Sequence, residues 1–165
     1  MVHKVAFVCN SFYIGPIIEK LALEFDKLPK QLDLRLCPDA DVVSAIKMIE
    51  QIERLDLIVM DSELMPGNKA QIPDVAELCS QNEGKYSLHI RLALYFLKSA
   101  LRMKSHSCTP VAVISNYPYS GVSFFPNIGS EFEKAGAKMY VHYQRHQETN
   151  GELACDLVNL AIGKK

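Results

Sequence analysis

The sequence has little excess charge of either sign: 18 lysines and arginines face 19 aspartates and glutamates, for a formal net charge of -1 and a pI near 6.5. That balance excludes the broad electrostatic footprint of a nucleic-acid or polyanion binder. No uninterrupted apolar segment approaches the roughly 18 residues needed to span a bilayer, so no membrane partner is expected. Met1-Val2-His3-Lys4 runs straight into an apolar stretch without signal-peptide regions, and the expected location is the cytoplasm. Cysteine is sparse, odd in number and scattered over Cys9, Cys37, Cys79, Cys108 and Cys155, which fits reduced thiols rather than a disulfide framework. His106-Ser107-Cys108 with Cys79 and His89 lacks the paired close spacing of a zinc site. Internal repeats and low-complexity tracts are also missing.

What is present suffices for one domain with a real core: 165 residues, 48% hydrophobic and 22% charged. The organising stretch is Leu55-Asp56-Leu57-Ile58-Val59-Met60-Asp61, an apolar run of strand length that stops on an acid. Leu57 to Met60 suit a strand buried on both faces of a parallel sheet. Asp61 then stands at the carboxyl edge, where open α/β sheets collect ligands and chemistry. A carboxylate there serves as phosphoryl acceptor, metal ligand or general base, or simply caps the turn that Pro66-Gly67 closes.

The rest of the chain alternates around that strand. Lys4 to Cys9 is a first strand. Gly15-Pro16 opens a helix with Ile18, Leu21, Ala22 and Phe25 on one face, closed by Pro29. Leu32 to Cys37 alternates like a less buried strand, and Asp39 or Asp41 caps a helix carrying Val42, Ile46, Ile49 and Ile52. Residues 68–85 form an excursion with one short helical turn near Val75 to Cys79. Ser87 then caps a long helix reaching about Met103, so excursion and helix together occupy about residues 68–105. Its apolar arc is wider than covering a sheet requires, which leaves surface for a partner or for the excursion itself. Thr109 to Ser115 reads as a fourth strand, Ile128 to Ala135 as a short helix ended by Gly136, and Lys138 to Tyr143 as a fifth strand. Thr149 with Glu152 forms a capping box for a last helix. The order β-α-β-α-β predicts a single α/β domain over residues 1–165, with helices on both faces of a five-stranded parallel sheet.

Taken in order, Lys4-Val5-Ala6-Phe7-Val8, then Leu55 to Asp61 with Met65-Pro66-Gly67, then Thr109 to Ser115, then Ala135-Gly136-Ala137-Lys138-Met139-Tyr140-Val141 make a pattern. It resembles the receiver domain of two-component response regulators. The resemblance implies a flavodoxin-like, receiver-type three-layer sandwich acting as a phosphoryl-accepting regulatory domain in phosphorelay signal transduction, not as an enzyme. It places Asp61 at the phosphoacceptor position, Ser115 at the hydroxyl that follows it, and Tyr140 at the aromatic that reports the switch. It implies Mg2+ as cofactor, held by Asp61, Asn10 and a backbone carbonyl near Glu63, and a histidine kinase or other signalling protein as partner. The chain departs from the pattern where the family carries an acidic pair, since Cys9 and Asn10 stand there, and where it carries a lysine, since Tyr143 stands there. The proline after Asp61 also comes one residue late. A set so short of oxygen and charge is a poor magnesium site.

Two other functional classes stay open. Phe7-Val8-Cys9 before Asn10-Ser11 and Gly15-Pro16 matches the strand-loop-helix of small thiol phosphatases, with Cys9 as nucleophile, although residues 10–15 contain no arginine. A phosphorylation-independent interaction module on the receiver scaffold is the other, binding a protein, or a second copy as a homodimer, through the helix at 87–103 or the last strand and helix.

Overall fold

A computed structural model describes residues 2–9, 11–28, 31–37, 39–81, 84–143 and 150–163, without the side chains of residues 11–14, 69 and 150. Its frame is a parallel sheet of β1 (Val2–Val8), β2 (Gln31–Leu36), β3 (Leu57–Asp61), β4 (Val111–Ser115) and β7 (Met139–His142) in the order β2-β1-β3-β4-β7. The three central strands are the continuous apolar runs of the sequence, and β3 and β4 are buried along their whole length. That is the burial a two-faced parallel sheet produces.

Alternation along these strands divides the core. Val5, Phe7, Leu57, Val59, Ala112 and Ile114 meet α1 (Ser11–Asp26) and α6 (Asn150–Ala161) on one face. Ala6, Val8, Ile58, Met60, Val111 and Val113 meet the other face, covered by α2 (Val42–Glu50), α4 (Leu88–Arg102) and α5 (Ile128–Lys134). The result is the expected three-layer, flavodoxin-like α/β sandwich. Among the described residues no helix is long and apolar enough to cross a membrane.

Several expectations are refined. The first helix starts at Ser11 rather than Gly15, with Pro16 inside it. Having no N–H, Pro16 cannot bond the carbonyl four residues back, but so early in a helix this is a single lost bond. Asp41, not Asp39, caps α2, its Oδ1 accepting from the Ser44 N–H at 2.8 Å. The excursion holds a 3-10 turn at Lys69–Gln71 and a true helix, α3 (Pro73–Ser80). Val75 of α3 is buried against α4, and Tyr95 of α4 donates to Asp74 at 3.2 Å. The apolar arc of α4 packs inside the molecule, on the sheet, α2 and α3. Between β4 and α5 the chain forms an unanticipated hairpin, β5 (Gly121–Val122) against β6 (Phe125–Pro126), whose tip residue Phe124 is 82% exposed. At one margin of the sheet β2 pairs, among the described residues, only with β1, and an ion pair between Arg35 and Asp33 at 2.9 Å lies on it. Pro29 and Thr149, expected to close α1 and to cap α6, lie outside the described residues.

Candidate functional site

The parallel register decides what meets at the carboxyl edge. Asp61 is level with Ile114, so the next residues, Ser62 just past the end of β3 and Ser115 at the end of β4, lie side by side. Both fall on the α2/α4/α5 side, in phase with Met60 and Val113. Their hydroxyls lie 2.7 Å apart and are fully buried. Ser115 Oγ also accepts the Tyr117 N–H at 3.0 Å, while its carbonyl accepts the Tyr143 N–H at 2.7 Å. Asp61 falls on the opposite phase, 8% exposed, and its Oδ1 accepts from the Glu63 N–H at 3.2 Å in a local turn.

Around this pair the loops are tied to one another. The Tyr140 hydroxyl donates to the Tyr117 carbonyl at 2.9 Å, and the Tyr117 hydroxyl donates to Glu63 Oε1 at 3.2 Å. The Tyr140 ring sits between Phe132 and Tyr119, with centroids at 6.0 and 5.9 Å. Tyr117 meets Phe125 of the hairpin edge-on at 5.4 Å, and Tyr86 bonds the Pro126 carbonyl at 2.9 Å. An aromatic chain thus runs from the strand ends to the hairpin. Burial, with Asp61 nearby, pushes the Tyr140 phenol up to about 12, against a lowering contribution from Ser115. Tyr117 is raised by burial first and by Glu63 next.

The structure brings Cys9, Asp61, Glu63, Ser115, Tyr140 and Tyr143 to one edge of the sheet; Asn10 lies outside the described residues. Ser62, Tyr117 and Tyr119 belong to the same assembly; the sequence marks the two tyrosines as an aromatic turn at this edge, whereas Ser62 was not singled out. For Ser62 the signal was available in principle, because parallel pairing of the two apolar runs puts it beside Ser115.

The described part of the donor set, without Asn10, does not fit magnesium. Cys9 donates its Sγ–H to the Val59 carbonyl at 3.6 Å, and the Glu63 carboxylate accepts from Tyr117. Among the described residues no three of His, Cys, Asp and Glu are grouped to hold a metal ion. A hard cation needs several oxygen ligands, which the described residues of this edge do not converge. Cys9 is also wrong for a nucleophile: burial first, then the Asp61 charge, push its thiol well above the ordinary range, opposite to an activated thiolate. The imagined zinc cluster is absent among the described residues too. His106 is buried with Nε2 at 2.9 Å from the Ile49 carbonyl, where it serves the end of α2.

No protein-family model matches this chain, and no curated protein matches it in sequence. Solved structures do resemble it. RcpA, a phosphorylated cyanobacterial phytochrome response regulator, superposes with a TM-score of 0.64 at 14% identity, covering 98% of this chain and 95% of its own. The Mn2+-bound form of response regulator Rcp1 gives 0.60 at 12% identity, covering 95% and 92%. The structure of the P1 domain of CheA3 in complex with CheY6 from R. sphaeroides gives 0.53 at 16% identity, covering 97% and 97%. The chain has the fold of these response-regulator receivers.

Proposed function

From a chain folded as a response-regulator receiver, we propose a regulatory signalling module whose switch elements are latched without a phosphoryl group and whose output is a protein contact. The observation that carries this reading is the 2.7 Å bond between the Ser62 and Ser115 hydroxyls. In the receiver scheme, the hydroxyl after the fourth parallel strand moves to bond a phosphoryl oxygen on the aspartate, and the packing behind it shifts. Here Ser62 already supplies that hydroxyl with an oxygen partner, and Tyr140 is held on the Tyr117 carbonyl. The residues where the resemblance places an acidic pair and a lysine are Cys9, Asn10 and Tyr143, none of them charged at neutral pH. Phosphoryl transfer into Asp61 would need its developing charge neutralised by other means. By analogy with CheY6, whose complex contains the P1 domain of CheA3, the partner is a signalling protein such as a histidine kinase.

A second reading keeps Asp61 as phosphoacceptor with Ser115 and Tyr140 as relay. It is favoured by the placement of Asp61 at the end of β3, beside β1, where the strand order reverses and ligands collect. One experiment separates them: acetyl phosphate or beryllofluoride with magnesium, followed by backbone NMR. The latched module predicts unmoved resonances at Asp61, Ser115 and Tyr140. Shifts there that vanish in Asp61→Asn would replace it with the phosphoacceptor.

A further inference from the structure

The amino edge of the sheet, the end away from Asp61, carries a feature that signalling at the other edge does not use. A cavity of about 740 Å³ opens between the residues leading into β3, β4 and β7 and the C-terminal end of α6. Leu55, Pro110, Leu160 and Ala161 supply apolar wall, and Arg54 and Lys138 supply two cations. Its volume lies within the range of about 300–1,000 Å³ that small-molecule sites occupy.

The charges there are unequal in what they still offer. Asp56, the acid on the wall, is already engaged: its Oδ2 accepts the Lys4 backbone N–H at 3.0 Å and lies 3.6 Å from His3 Nδ1, and its Oδ1 pairs at 3.5 Å with Arg54 on the same wall. Lys138 contributes its backbone N–H to the Val111 carbonyl at 2.8 Å, which fixes where its side chain starts. No ion pair among the described residues involves its ammonium. A cation without an acid at the margin of an apolar cavity concentrates positive potential there.

We propose that this cavity binds a small amphipathic anion, an apolar body bearing one carboxylate, sulfonate or phosphate, with Lys138 meeting the charge and Arg54, shared with Asp56, beside it. The site rests on this end of the sheet alone and stands whichever reading of the Asp61 edge holds.

Anilinonaphthalene sulfonate is a suitable probe, since its aromatic body and single fixed charge match both parts of the site. Titration of the folded protein is expected to give a saturable fluorescence gain, with NMR shifts at Leu55, Thr109, Lys138 and Ala161. Lys138→Glu is expected to weaken binding about tenfold, the size of one lost charge contact turned repulsive. Arg54→Glu provides the same measurement should the first variant melt early. Phe124→Ser, at the exposed hairpin tip, is expected to leave the titration unchanged. Absence of a saturable gain, equal affinity in both charge variants, or shifts gathered at residues 121–126 would overturn the proposal.

Discussion

The Ser115 hydroxyl serves the Ser62 hydroxyl and the Tyr117 N–H at once, inside a site closed to water. Ser115→Ala takes that partner from both, and a buried polar group left unsatisfied costs about 1–3 kcal/mol. The expected result is a lower urea midpoint with an unchanged slope. Ser62→Ala costs a similar amount, but the double variant should cost less than the sum by about 1 kcal/mol, because the two hydroxyls satisfy each other. Additive losses would mean that the two do not form one unit. Tyr140 gives a second residue-scale expectation. Its phenol titrates near 10 when unfolded and at about 12 when folded, so the folded chain holds more protons between those values. Its contribution to stability is full below pH 10 and is lost as pH rises toward 12. Urea midpoints followed from about pH 9 to pH 11 should fall, and Tyr140→Phe should flatten part of that fall. Only part is expected to flatten, because Tyr95, Tyr117 and Tyr119 are raised too.

At the scale of elements, a single glycine joins α2 to the loop after β3. Gly67 has φ +65, and a Cβ there would lie 2.0 Å from Asp41 Oδ1, the atom that caps α2. Gly67→Ala therefore combines backbone strain with a displaced cap and should cost about 2–4 kcal/mol in denaturant unfolding. Hydrogen exchange should speed up first at Ser44, whose N–H loses the cap. How much of each element could be read from the sequence depended on how much of its signal was local. β1, β3 and β4 were legible because four or five consecutive apolar residues have one explanation at that length. Ser87 and Asp41 were legible because capping chemistry lies within three residues of the cap. The hairpin at 121–126 was not, since two-residue strands are too short to alternate. The destiny of the α4 face was not either: the same arc of Ile90, Ala93, Phe96 and Leu97 suits a partner or a folded-back α3, and only the path of residues 68–85 decides.

For the molecule as a whole, the parallel sheet with helices on both faces followed from the β-α alternation, while the strand order came only with the structure. The cavity at the amino edge was likewise illegible, being assembled from four chain segments that no sequence spacing links. Among the described residues the same sheet has an open margin at β2, whose outward N–H and C=O groups face no neighbouring strand of the sheet. Such a margin is a template for another chain unless charge defends it. On β2 the defence is Arg35 and Asp33, set among Leu32, Leu34 and Leu36. Replacing both, Asp33→Asn with Arg35→Gln, should leave the melting temperature nearly unchanged yet turn stored solutions thioflavin-positive. The exposed ion pair, worth little to folding, would then owe its value to shelf life: it keeps one folded molecule from seeding fibrils of the next.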